Sequence, residues 1–267
     1  MQNLTLACFG PIYFAIHLET SPTVRPTSVT KEAPPKVLAA ARNLQFLPFS
    51  IILGYVVPSI LLGLPSPSLV SYASQQAAIA IWTPFPVWVG LAQFILTWCD
   101  AKLSASKSSA VISSVESHGI YLRALRRVYL FALVGSSFVH IGTMVTSLST
   151  LLFPATFAPG LRSEFAPANL LFPKNSQVGT IGAGVLNFMQ WDQWVGYTAL
   201  LTWVLKLEQG DQKSAARTWK MWLWRSLEVI FPIALLGPGG AAVLFVWKRD
   251  EIGWSAEQQS VRARQTK

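Results

Sequence analysis

Six stretches of this chain run for 15 to 26 residues with scarcely a charge in them, and they constrain the fold more than any other feature. They cover 4–18, 46–64, 77–99, 128–153, 183–206 and 222–247. A helix needs about 20 apolar residues to cross a hydrocarbon core about 30 Å thick. Backbone groups in lipid must be paired inside helices or a closed barrel, and barrel strands would read as short alternating segments instead. Only 12% of the residues are charged, about half the share of roughly 25% usual in soluble domains. The fold class read from this is all-α: a polytopic transmembrane helical bundle of six to seven spans over residues 1–247. The polar tail, 248–267, is expected to be disordered.

The first stretch is short and is interrupted by Gly10-Pro11. It lacks the basic region and small-residue cleavage site of a signal peptide, and is expected to be a helix whose upstream part lies outside this sequence. Pro58, Pro84, Pro86, Pro232 and Pro238 fall inside apolar runs, where proline kinks a helix by removing a donor. Gly237-Pro238-Gly239-Gly240 marks a bend or a close helix approach. Residues 20–36, rich in Pro, Thr and Ser, read as a flexible loop. Residues 155–177 repeat Phe-Ala-Pro and read as a lid or re-entrant cover over a lateral opening. No internal repeat supports an inverted-repeat transporter.

The formal net charge is +9, but the bases gather between apolar runs: Arg123, Arg126 and Arg127, then Lys213, Arg217, Lys220 and Arg225. That is the pattern of cytoplasmic loops facing anionic lipid, so the partner is the lipid bilayer and not nucleic acid. The basic loops 19–45, 100–127 and 207–221 then share the cytoplasmic side. The basic tail breaks the alternation, so either one span is miscounted or the first segment is not a full crossing. Two cysteines and three histidines support neither a disulfide framework nor a protein-only transition-metal site.

Asp192 is the leading candidate for chemistry. It sits amid Gln190, Trp191, Gln193 and Trp194 near the middle of the fifth run, where a carboxylate costs roughly 2.5–3.5 kcal/mol to insert. A carboxyl group buried without a cation stays protonated, as a general acid requires. The plainer alternative is a helix–helix hydrogen bond worth about 0.6 kcal/mol. Asn187, Trp191 and Trp194 share a helix face at i, i+4 and i+7, with Gln190 beside it. This is a candidate substrate wall. Glu228 is a second acid, with an intrahelical pair to Arg225 as its bland explanation. His140, among Ser136, Ser137 and Thr143, reads as a satisfied bundle histidine or a substrate contact. Glu19 closes the first segment. Trp88 ends the cluster Trp82-Thr83-Pro84-Phe85-Pro86-Val87-Trp88, whose rings could stabilise a cation by about 2 kcal/mol when desolvated or simply face lipid.

No paired acidic magnesium-diphosphate motif, Walker A loop, HExxH, GxSxG or histidine box is present, which leaves metal-independent, proton-initiated chemistry on an apolar substrate. Three segments carry a resemblance. They are Ala7-Cys8-Phe9-Gly10-Pro11-Ile12-Tyr13-Phe14-Ala15-Ile16-His17 with Thr20-Ser21-Pro22, then Gln190-Trp191-Asp192-Gln193-Trp194, then Gly237-Pro238-Gly239-Gly240-Ala241 with Trp247-Lys248-Arg249-Asp250-Glu251. Together they resemble fungal membrane-bound meroterpenoid terpene cyclases of the ascofuranone/ascochlorin type. The resemblance implies about seven helices, no metal or other cofactor, and intramembrane acids that open a terminal epoxide. The substrate would be a hydrophobic prenylated small molecule supplied by an upstream prenyltransferase and epoxidase, and the location the endoplasmic reticulum. Relatives of the pyripyropene type carry one acid early and one late. Glu19 fits the early position, and Asp192 or Glu228 the late one. The alternative class is a non-enzymatic small transporter or a pathway accessory protein.

Overall fold

The computed structural model describes residues 6–21, 34–104, 114–174, 179–209 and 219–265. Most of the loop expected at 20–36, together with Lys213 and Arg217, falls outside these residues. The described residues are helical with no strand, so the fold is all-α as expected. The chain divides into two compact units: Met1–Ser28 with Ala132–Lys267, and Val29–Phe131.

The second of these units begins with α1 (Pro34–Ile51), a π-helical turn (Ile52–Val56) and α2 (Val57–Leu62). Pro58 has no N–H to give the Gly54 carbonyl, and the helix widens into the π turn just before it. Gly54 lets that turn lie directly on the backbone of Trp88 and Val89. α3 (Tyr72–Trp82) and α4 (Phe85–Ser104) form a pair bent by 63° at Thr83-Pro84. The Trp88 indole donates to the Ile81 carbonyl at 2.7 Å and bridges that break. From α4, Gln93 donates to the Asn43 carbonyl and accepts from Ser50 Oγ. Arg42 and Asp100 form an ion pair at 2.9 Å.

The other unit holds α5 (Leu6–Thr20), the greater part of α6 (Ser114–Leu152), the short helices α7 (Pro159–Phe165) and α8 (Pro167–Leu171), α9 (Ile181–Gln209) and α10 (Trp219–Gln265). By chain order α5 precedes the helices of the first-described unit. Val204 of α9 and Ala241, Ala242 and Phe245 of α10 form a buried core with Leu200, Leu201, Val229 and Ile233 around it. α10 breaks at Gly237, whose φ of 77° is open to glycine and strained for other residues. Pro238 deprives the Ala234 carbonyl of its helical donor, and His140 Nε2 lies 3.2 Å from that oxygen. An N–H at Nε2 therefore replaces the missing bond.

The polar tail is not irregular: α10 continues helical to Gln265. Ala, Glu, Gln and Arg favour helix there, and Trp247 Nε1 donates across one turn to Glu251 Oε1 at 3.0 Å. The span count also departs from expectation. Among the described residues, three stretches are long and apolar enough to cross a membrane: Ala39–Leu62, Glu116–Leu152 and Ser226–Ser255. The bent pair Tyr72–Trp82 and Phe85–Leu103 raises the count to four at most. These make the chain a membrane protein but fall short of six to seven spans. α5, at 15 residues, is only about 22 Å long. α9 is long enough, but Asn187, Gln190, Asp192 and Gln193 lower its hydropathy.

Candidate functional site

α5 and α9 run side by side in the same direction. Ala7 meets Asp192 at one end, and Phe14 and His17 meet Trp203 at the other. Gly196 accommodates Leu6, whose side chain occupies the space a methyl would need. Between the helices lies a groove of about 570 Å³, walled by Pro11, Phe14 and Leu18 on α5 and by Trp191, Trp194 and Trp203 on α9. Its α9 wall follows i, i+3, i+4, i+7 spacing and so comes from one helix face. Phe14 stacks on Trp203 with centroids 5.0 Å apart and planes at 23°.

Polar groups in this groove are largely occupied. Thr198 and Thr202 bond back to the carbonyls of Trp194 and Thr198 at 2.7 and 2.8 Å. Trp203 Nε1 donates to His17 Nδ1 at 3.2 Å, so that ring nitrogen carries the lone pair. What remains facing the groove is mostly apolar surface, and it includes the rings of Phe14, Trp191, Trp194 and Trp203, whose negative π faces attract a cation.

Asp192 is half-buried and does not line the groove; it stands beside the Pro11–Trp191 end. Its Oδ1 accepts the Ala7 backbone N–H at 2.7 Å. That N–H belongs to the first turn of α5, where helix donors lack internal partners and the dipole favours an acid. No cation lies within ion-pair distance of Asp192 among the described residues.

Asn187, Gln190 and Trp194 face the segment expected to form a lid. Gln190 is buried, and its Nε2 donates to the Asn169 and Leu170 carbonyls at 2.7 and 2.8 Å. Trp194 Nε1 donates to the Leu171 carbonyl at 2.8 Å, and Asn187 Oδ1 accepts from the Lys174 N–H at 2.7 Å. Phe172 stacks on Trp194 at 6.0 Å. Ser147 Oγ donates to the Phe165 carbonyl and ties the segment to α6.

The remaining candidates are dispersed. Glu19 is exposed near the far end of α5, about 18 Å along the helix axis from Ala7, so it does not gather with Asp192. Glu228 is exposed on α10 and has a partner of its own. His140 serves the kink in α10. Trp88 belongs to the other unit, where it bridges the bent pair.

Residues 1–253 match the CtvD domain family. The chain belongs to the CtvD family. It is 26% identical over 256 residues to terpene cyclase ascI of Acremonium egyptiacum, covering 96% of this chain and 62% of that protein. It is 27% identical over 251 residues to terpene cyclase ctvD of Aspergillus terreus, covering 94% and 65%. With terpene cyclase verU1 of Penicillium polonicum it shares 28% identity over 244 residues, covering 91% and 59%. The chain thus spans about three fifths of the length of these relatives. No solved structure matches it. The resemblance to fungal terpene cyclases seen in the sequence is borne out.

Several residues of the groove were not legible beforehand. Extending the Trp191–Trp194 face by helical spacing reaches Thr198 and Thr202 and the neighbourhood of Trp203. Phe14, Leu18 and Leu6 could be found only once α5 was seen to lie on α9, because no local pattern names a helix's partner.

Proposed function

We propose that this chain is a membrane-bound terpene cyclase that closes rings on an epoxidised farnesyl-type chain attached to an aromatic or polyketide core. The observation that carries the reading is the apolar groove walled by Phe14, Trp191, Trp194 and Trp203, with Asp192, which has no ion-pair partner among the described residues, beside one end. Family membership and relatives named terpene cyclases support it. The prenyl chain lies along Trp191, Trp194, Phe14 and Trp203, and the epoxide sits at the Asp192 end. Asp192 Oδ2 gives its proton to the epoxide oxygen while the C–O bond to the more substituted carbon breaks. Neighbouring alkene electrons form the new C–C bond, and the cation moves along the chain beside the indole faces. Loss of a proton from the final cation to a base or water leaves a product isomeric with the substrate, so no redox partner or metal is required.

The remaining spans, the endoplasmic reticulum as location, and supply by a prenyltransferase and an epoxidase belong to the same proposal. So does a contribution from Glu19 or Glu228. A second reading has its own observation: Asp192 accepts the Ala7 N–H, as an acid that only docks α5 onto α9 would. Asp192→Asn separates the two, since asparagine keeps an Oδ1 acceptor for Ala7 and loses the acidic proton. In yeast microsomes fed an epoxyfarnesyl-phenol, the cyclase reading expects ring-closed product to disappear at unchanged expression. Retained turnover would support the docking role.

A further inference from the structure

The grip of α9 on the segment after α7 has a specific logic. α8 has five residues, so it cannot satisfy its own last carbonyls. Phe172 N–H reaches back to the Ala168 carbonyl at 3.3 Å. The next three carbonyls, Asn169, Leu170 and Leu171, are taken by Gln190 and Trp194. Gln190 is the only one of these side chains that is buried, at 6% exposed, and it spends both amide hydrogens there. Trp194 is half exposed and depends on that segment on two sides: its N–H is held by Leu171, and its ring is stacked on Phe172. The same Trp194 forms part of the groove wall.

We propose that Gln190 is a positioning residue that acts through Trp194. By fixing the carbonyls that end α8, it sets the plane in which the Trp194 indole faces the groove, and so governs how far a cation travels before it is quenched. This rests on the cyclase reading above. Gln190 itself need not touch substrate. Without it the Leu171 carbonyl and the Phe172 ring shift, the indole tilts, and a cation formed beside it is captured early by water.

The test uses the full chain in yeast microsomes with an epoxyfarnesyl-phenol, scoring the ratio of fully ring-closed product to water-captured product by mass spectrometry. Gln190→Met keeps length and bulk but has no donor. The expected result is a fall of about tenfold in that ratio, with KM little changed and amide exchange across 169–174 accelerated. Trp194→Phe keeps a ring but loses the N–H bond, so adding Gln190→Met to it should lower the ratio no further, a non-additivity that marks action through one residue. An unchanged ratio in Gln190→Met, or full additivity with Trp194→Phe, overturns the proposal. Should Gln190→Met fail to accumulate, Phe172→Leu removes the stack from the exposed side and must shift the ratio in the same direction; no shift overturns it equally. A wild-type chain that forms no ring-closed product at all would instead sink the cyclase reading. Exchange at 169–174 would then decide whether Gln190 holds the segment.

Discussion

At the scale of single residues, the structure separates polar groups that repair the backbone from those left available. His140 faces the carbonyl that Pro238 frees, beside a glycine in the left-handed region. A Cβ at Gly237 would fall 2.7 Å from the His140 ring, and a positive-φ extended backbone of this kind costs a non-glycine residue about 1–3 kcal/mol. Gly237→Ala should therefore lower the Tm of the detergent-solubilised protein clearly. His140→Phe should lower it too, by leaving the Ala234 carbonyl unpaired at a cost of about 1–3 kcal/mol, while turnover per folded molecule is retained. Loss of turnover at an unchanged Tm would make His140 a substrate contact instead. The sequence showed a histidine among serines and threonines but not its partner, because a freed carbonyl is visible only when proline and histidine are seen on facing helices. Asp192 was legible as the costly acid of α9. The helix end it meets was not, since the start of α5 lies far away in sequence.

At the scale of elements, two helix contacts matter most. Gly54 brings the π turn onto the α4 backbone, and backbone cannot yield as a flexible side chain does. Gly54→Ala should destabilise the 29–131 unit by about 1–3 kcal/mol, an overpacking cost, read as a lower aggregation temperature. In the other unit, α5 is held to α9 by the Phe14–Trp203 stack and the Trp203–His17 hydrogen bond. Trp203→Leu removes both. It should loosen α5, seen as faster proteolysis within 6–20, and should widen the groove so that water-captured product increases. The proline-bent pair at 72–104 and the kink at 237–238 were readable from Pro and Gly placement, since proline acts locally on its own helix. Residues 155–177 read as a lid or re-entrant cover from their mixed composition, but their tether was not readable, because it comes from Asn187, Gln190 and Trp194 reaching across from α9.

At the scale of the molecule, hydropathy decided the class but not the number of crossings. Long apolar runs correctly announced helices, but α5 is too short and α9 too polar to meet the same standard as Ala39–Leu62 or Ser226–Ser255. Low hydropathy in the tail predicts disorder, whereas its residues favour helix and extend α10. The chain should remain in the membrane pellet after alkaline carbonate extraction, and release into the supernatant would contradict the membrane assignment. The central claim is that Asp192 supplies the initiating proton rather than a docking contact. Its most direct test is single-turnover formation of ring-closed product by Asp192→Asn and wild-type microsomes matched for protein level. The account predicts a loss of about a hundredfold or more, the scale of removing a general acid; wild-type-like turnover by Asp192→Asn would contradict it.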